Sequence, residues 1–113
     1  MQYFHNPRCS KSRQTLQLLE EKGVQPTVVE YLKTPPTVDE LTSIINKLGI
    51  DPRALIRKGQ SEYKELNLAD TNLSDAELIQ AMVDNPILIE RPILITEEKA
   101  ALGRPPENVL NIL

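Results

Sequence analysis

The chain has few of the residues that build metal centres, disulfides and aromatic cores. Its 113 residues include one cysteine, one histidine and no tryptophan, and aromatic residues make up only 4%. A single cysteine excludes an internal disulfide and an internal resolving thiol. One cysteine and one histidine also fall short of the four ligands of a zinc site. We therefore expect no bound metal or cofactor, and a core built from leucine, isoleucine and valine.

Strong charge and long apolar segments are also missing. The formal net charge is −3, which argues against nucleic-acid binding, because such binding depends on a basic surface. No apolar run approaches the length of a membrane span, and the apolar stretch at the N-terminus is far shorter than a secretory signal. We therefore expect neither nucleic acid nor membrane among the partners, and a cytoplasmic location.

The first third of the chain has the pattern of a βαβ unit. Residues 1–5 predict a strand, residues 10–22 a helix that Gly23 ends, and residues 26–32 a β-branched second strand. Two strands joined through a helix are expected to pair in parallel.

Helix signals dominate the middle of the chain. Capping boxes start at Thr37 and Ser74, each followed by a glutamate three residues later, and residues 51–52 begin a short helix. A further helical turn starts at Ser61. Residues 37–84 therefore predict an insertion made only of helices.

Strand signals return after this insertion. Residues 92–95 form an apolar run typical of a buried strand, and residues 97–99 predict a turn into residues 100–102. A last helix is expected to start at two prolines, residues 105–106. Its inner face should carry Val109, Leu110 and Leu113. These elements predict a thioredoxin-like α/β fold with a four-stranded mixed sheet, as one domain over residues 1–113.

Cys9 stands where a thiolate is favoured, at the start of the first predicted helix. Free backbone N–H groups and the positive end of the helix dipole face that position. Arg8, Lys11 and Arg13 add positive charge, and Ser12 offers a hydroxyl donor. These features lower a cysteine pKa and create a nucleophile beside an anion cradle. A lone cysteine is often a small buried hydrophobe, but these charged surroundings favour the nucleophile.

His5 is the only histidine, four residues before Cys9. Two interpretations remain open: a proton partner of the thiol, or a hydrogen-bonded residue that anchors the loop.

Three arginines lie at the boundaries of predicted elements. Arg57 ends the short helix that follows residues 51–52, while Arg91 and Arg104 each precede a proline. Arginine binds tetrahedral oxyanions through paired donors, so we expect an oxyanion site. Taken alone, Arg57 fits a surface or helix-end cation better than an oxyanion ligand. A cis peptide bond before Pro92 would close the pocket near the thiol.

Four segments, in order along nearly the whole chain, together resemble the glutaredoxin-coupled arsenate reductases. The segments are residues 5–13 (HNPRCSKSR), 53–58 (RALIRK), 85–93 (NPILIERPI) and 103–107 (GRPPE). The resemblance implies that Cys9 attacks arsenate. It implies three substrate-binding residues, Arg57, Arg91 and Arg104, and three supporting residues, His5, Ser12 and Arg13.

The resemblance also implies the reaction. Arsenate is reduced to arsenite through a Cys9 thiol–arsenate adduct, with glutathione and glutaredoxin as external reductants. Two alternatives on the same fold stay open: an Spx-like regulator that binds RNA polymerase, and a glutathione-linked thiol redox protein. Spx-type proteins usually carry a Cys-x-x-Cys switch, and Ser12 occupies the second position here. Converging arginines would argue against the redox protein.

Overall fold

The computed structural model describes residues 1–113, which form four strands, four α-helices and three 3₁₀ helices. The strands are β1 (Gln2–Phe4), β2 (Thr27–Val29), β3 (Ile93–Ile95) and β4 (Ala100–Leu102). The α-helices are α1 (Ser10–Glu21), α2 (Val38–Leu48), α3 (Ser61–Glu65) and α4 (Asp75–Asp84). The 3₁₀ helices are Pro52–Leu55, Pro86–Leu88 and Pro106–Ile112.

The chain divides into two compact units. The sheet unit comprises Met1–Thr34 and Arg91–Leu113, and the helical unit comprises Pro35–Glu90. None of the helices combines the length and the apolar character that crossing a membrane requires.

The sheet unit holds all four strands, in the order β2-β1-β3-β4. β1 pairs in parallel with β2, and the β1–β3 and β3–β4 pairs are antiparallel. The predicted thioredoxin-like α/β fold with a four-stranded mixed sheet is confirmed. β2 is shorter than the predicted residues 26–32, because its one neighbour, β1, pairs with it over three residues only.

The core of the sheet unit lies between the sheet and two helices. Its central cluster consists of Tyr3, Leu19, Leu94 and Val109, each fully buried. β3 is buried along its whole length, as expected for an apolar run in a central strand. Each such side chain stabilises the fold by about 1.5–3 kcal/mol through burial.

The last helix differs from its prediction in type and in the face it buries. It is a 3₁₀ helix, Pro106–Ile112, with Val109 buried and Ile112 packed against the core, while Leu113 is 52% exposed. Three residues per turn place positions 109 and 112 on one face. The predicted burial of Leu113 assumed α-helical spacing and is wrong.

The helical unit is organised by α2 and α4, whose predicted capping boxes are present. Thr37 Oγ1 accepts from the Glu40 N–H group at 3.1 Å, and Ser74 Oγ accepts from the Glu77 N–H group at 3.2 Å. Each cap contributes about 1 kcal/mol. Asp51 makes no side-chain capping bond, and the helix that follows it is a short 3₁₀ helix.

Candidate active site

Cys9 occupies the N-cap position of α1, with extended backbone angles (φ −95°, ψ 121°). Its own N–H group donates to Asn6 O at 3.0 Å, so the residues before the helix fold back as a tight turn. The side chain makes no capping hydrogen bond of strict geometry. The first N–H groups of the helix therefore act on the sulfur as nearby dipoles that favour its anionic form.

The surroundings of Cys9 favour the thiolate. Partial burial raises the pKa of the thiol, but the backbone N–H groups of Ser12 and Lys11 lower it. The Arg91 guanidinium lowers it further, through its charge and through a hydrogen bond to the sulfur. The lowering influences outweigh burial, so the pKa of Cys9 lies below its ordinary value of 9.0.

The loop before α1 is held by its own polar groups. Arg13 Nη1 donates to Pro7 O at 2.7 Å, and the Arg8 N–H group donates to Asn6 Oδ1 at 3.1 Å. Arg13 thus braces the turn that carries Cys9. Asn6 was not singled out from the sequence, although an Asn-Pro pair is itself a turn signal.

A buried network fixes Ser12 beneath this loop. A 2.7 Å hydrogen bond joins His5 Nδ1 to Ser12 Oγ, which also accepts from the Asn6 N–H group at 3.0 Å. Tyr3 donates its hydroxyl to Ser12 O at 2.6 Å, and burial raises the pKa of Tyr3 to about 12. The Ser12 hydroxyl therefore bonds the loop and His5, and Ser12 acts on the sulfur through its backbone.

His5 contacts the loop as an anchoring residue would. Burial lowers its pKa below 6.5; Glu30 opposes this shift and Arg13 adds to it. The lowered pKa favours the neutral imidazole at pH 7, so His5 adds little positive charge near the thiolate.

The lowered His5 pKa predicts a dependence of stability on pH. The pKa of His5 is lower in the folded protein than in the unfolded chain. The contribution of neutral His5 to the free energy of unfolding is therefore fully present above pH 6.5. It is lost as the pH falls below 6.5 through the folded pKa. Urea unfolding between about pH 7 and about pH 5 should give a falling free energy of unfolding, and His5→Gln should flatten that fall. An equal slope in both proteins would contradict this prediction.

Arg91 and Arg104 each precede a cis peptide bond. The Arg91–Pro92 bond confirms the expected cis bond, and the Arg104–Pro105 bond is a second one that was not predicted. The two segments are linked, because the Gly103 N–H group donates to Pro92 O at 2.9 Å. Arg91 lies beside the thiol, to which it donates a hydrogen bond. Arg104 is an exposed residue next to the segment that carries Arg91.

Arg57 belongs to the helical unit, where contacts of its own hold it. Its N–H group donates to Leu88 O at 2.7 Å, and its Nη1 donates to Ile87 O at 3.3 Å. Its Nε forms an ion pair with Glu90 at 3.8 Å. The expectation that Arg57 ends the short helix is wrong: Pro52–Leu55 stops two residues earlier, and residue 56 is in extended bridge pairing.

A cleft of about 310 Å³ borders the loop that precedes Cys9. It is lined by residues 5–7 and Leu32, and by the charged side chains of Arg8, Glu30 and Lys33. Glu30 and Lys33 form an exposed ion pair at 3.5 Å. The cleft thus combines two cationic groups with one carboxylate. No group of three or more His, Cys, Asp and Glu side chains in the chain is placed to hold a metal ion.

The sequence and the structure are both similar to proteins of one family. The ArsC family model matches residues 4–112. The chain is 57% identical to the uncharacterised protein YfgD of Escherichia coli (strain K12), over 97% of this chain and 93% of that protein. It is 54% identical to the arsenate reductase of Haemophilus influenzae, over 97% and 96%. A solved structure, an arsenate reductase from Vibrio cholerae, matches with a TM-score of 0.96 and 51% identity, over 100% and 98%. The chain therefore belongs to the ArsC family.

Proposed function

We propose that this protein reduces arsenate to arsenite, with Cys9 as the nucleophile. The observation that carries this proposal is the pairing of the thiolate with the Arg91 guanidinium and two helix N–H groups. A cation and N–H donors that stabilise one anion also attract a second anion that approaches it. The arsenate reductases of Haemophilus influenzae and Vibrio cholerae, about half identical to this chain, supply the choice of substrate.

Substrate binding is proposed to rest on arginines. Arg91 offers paired donors beside the sulfur, and Arg104 adds a second cation in the segment bonded to Pro92. Arg57 is proposed as a third substrate-binding residue on the family resemblance. His5, Ser12 and Arg13 are proposed as supporting residues, since their hydrogen bonds fix the loop.

The proposed reaction begins at the sulfur. The Cys9 thiolate attacks arsenic(V), an S–As bond forms, and one arsenate oxygen leaves as water after protonation. A glutathione thiolate then attacks the Cys9 sulfur, so that an S–S bond forms and the S–As bond breaks. The two electrons of that bond stay with arsenic, which leaves as arsenite in the +3 state, and Cys9 is left as a mixed disulfide with glutathione.

Regeneration of Cys9 needs an external thiol, because the chain has no second cysteine. We propose glutaredoxin for this step: its thiolate attacks the glutathione sulfur of the mixed disulfide, takes over the glutathionyl group in a new disulfide, and releases the Cys9 thiolate. The Ser12 hydroxyl, bonded to His5 and Asn6, stands where an Spx-type switch has its second cysteine.

The chemistry requires a pool of reduced glutathione, so we propose that the protein works in the cytoplasm.

The cleft beside the loop supports glutathione as the thiol. Glutathione carries two carboxylates and one ammonium group, and the cleft presents two cations, Arg8 and Lys33, with one carboxylate, Glu30. This charge pattern is complementary to the tripeptide.

Charge reversal in the cleft tests this assignment. An Arg8→Glu/Lys33→Glu protein is expected to show a KM for glutathione raised by about tenfold, since each exposed pair is worth up to about 1 kcal/mol. The effect should shrink at high salt, and it should exceed any change in the KM for arsenate. Lys22→Glu/Lys99→Glu, with the same change in net charge on exposed positions, is the control. An equal effect in both proteins would remove the cleft from the proposal.

Arsenate-dependent oxidation of NADPH tests the function itself. The assay couples the protein to glutathione, glutaredoxin and glutathione reductase, with arsenate as the only variable substrate. We expect turnover that requires arsenate, glutathione and Cys9 together. Equal inactivity of the wild-type and Cys9→Ser proteins would overturn the proposed function.

A further inference from the structure

Gly103 is enclosed on the side where a side chain would project. A Cβ atom built at this position would lie 2.7 Å from Pro92 Cγ, and 2.9 Å from both Cγ2 and Oγ1 of Thr15. Carbon atoms in ordinary contact are about 3.5–4.0 Å apart. The backbone of Gly103 is not left-handed, so the position needs a glycine for space and not for conformational freedom.

This contact joins three separate segments of the sheet unit. Gly103 follows β4, Pro92 precedes β3, and Thr15 is a fully buried residue of α1. The Gly103 N–H group donates to Pro92 O at 2.9 Å. Thr15 Oγ1 donates to Lys11 O at 2.8 Å, inside the helix, and lies 3.5 Å from Gly103 O. The Thr15 side chain is therefore held against α1, and the segments of Gly103 and Pro92 pack on it.

The packed segments carry the groups that act on the thiol. Arg91 is joined directly to Pro92, and Cys9 stands at the N-terminus of the helix that contains Thr15. A side chain at position 103 would push the Pro92 segment and α1 apart by about 1 Å, given ordinary contact distances. Such a displacement is enough to break a hydrogen bond between a guanidinium and a sulfur.

We propose that Gly103 is a positioning residue: the space left by its missing side chain seats Pro92 against Thr15 and so holds the Arg91 guanidinium beside the Cys9 thiolate. This goes beyond the proposed function, because it concerns the packing that sets the position of Arg91 and not the reaction at Cys9. The only signals in the sequence are a glycine beside an arginine and two prolines, and a polar Thr15 on the inner face of α1.

The test is the pH dependence of Cys9 alkylation by iodoacetamide in Gly103→Ala, with no arsenate or glutathione present. The midpoint should move upward, and at a pH below the wild-type midpoint the alkylation rate should fall by roughly two- to tenfold, which corresponds to a shift of about 0.3 to 1 pH unit. Gly59→Ala is the matched control, since a Cβ at Gly59 meets nothing within 4 Å, and it should leave the midpoint unchanged.

A double-mutant cycle separates positioning from a general loss of packing. Because Gly103 is inferred to act through Arg91, adding Gly103→Ala to Arg91→Ala should shift the midpoint no further. An unchanged midpoint in a folded Gly103→Ala protein would overturn the proposal, and so would the same shift with and without Arg91.

A second variant keeps the test valid if Gly103→Ala does not fold. Thr15→Ser removes the Cγ2 atom and keeps the hydroxyl, so Gly103→Ala/Thr15→Ser has more room at the contact. Compared with Thr15→Ser alone, it should shift the midpoint in the same direction by a smaller amount. No shift in this comparison would also overturn the proposal. The alkylation readout is independent of arsenate, so its failure is distinguishable from failure of the proposed function.

Discussion

The Cys9→Ser protein is expected to lose arsenate-dependent turnover by at least about a thousandfold, to the background of the assay. Serine has no thiol and its hydroxyl is not ionised at neutral pH. Its oxygen also cannot form a disulfide with glutathione, and formation of that disulfide is the step that leaves two electrons on arsenic. The loss is therefore a missing chemical step and not a slower one.

The same substitution should leave the fold intact. Cys9 is the N-cap of α1 and makes no capping hydrogen bond, whereas serine is among the preferred N-cap residues. The free energy of unfolding should stay equal or rise slightly, which separates loss of chemistry from loss of structure. Ser10→Ala, a neighbouring exposed change, should retain turnover. Turnover in a homogeneous Cys9→Ser protein would contradict the proposed nucleophile.

Replacement of Arg91 by alanine is expected to give the second-largest effect. A hydrogen bond to a charged group is worth about 1.5–3 kcal/mol, which corresponds to a loss in kcat/KM of roughly 10- to 150-fold. The loss has two sources: a smaller fraction of Cys9 as thiolate, and fewer donors for the oxyanion. Arg91→Lys, which keeps the charge but not the paired donors, should fall between alanine and wild type.

The pH profile distinguishes these two sources. Arg91 lowers the pKa of Cys9, so Arg91→Ala should raise that pKa and shift the reactive form to higher pH. The deficit in kcat/KM should be largest at low pH and should narrow as the pH rises above the thiol pKa of the variant. The deficit in kcat/KM that remains at high pH measures the contribution of Arg91 to oxyanion binding. A deficit that does not change with pH would mean that Arg91 has no effect on the thiolate.

Local signals predicted most of the fold. The two capping boxes at Thr37 and Ser74 defined the starts of α2 and α4, because the motif is complete within four residues. The apolar run at residues 92–95 predicted a buried strand, and β3 is buried along its whole length. The last helix was less predictable, since the choice between 3.0 and 3.6 residues per turn decides whether Ile112 or Leu113 is buried.

The candidate site was predictable only where its chemistry is local. Cys9 could be identified from its place at the start of a helix. The direction of the Ser12 hydroxyl could not, because two partners, His5 and the Asn6 N–H group, hold it beneath the loop. Gly103 was missed for the same reason: its role depends on packing against a residue 88 positions away in the chain.

The mass of Cys9 after a single turnover tests the central claim most directly. The protein is mixed with arsenate and glutathione, without glutaredoxin, and is quenched with acid for intact-mass and peptide analysis. The proposed chemistry predicts one glutathionyl group on Cys9 that appears only when arsenate is present, together with one equivalent of arsenite. An unmodified Cys9 after arsenite has formed, or a glutathionyl group that forms equally without arsenate, would contradict it.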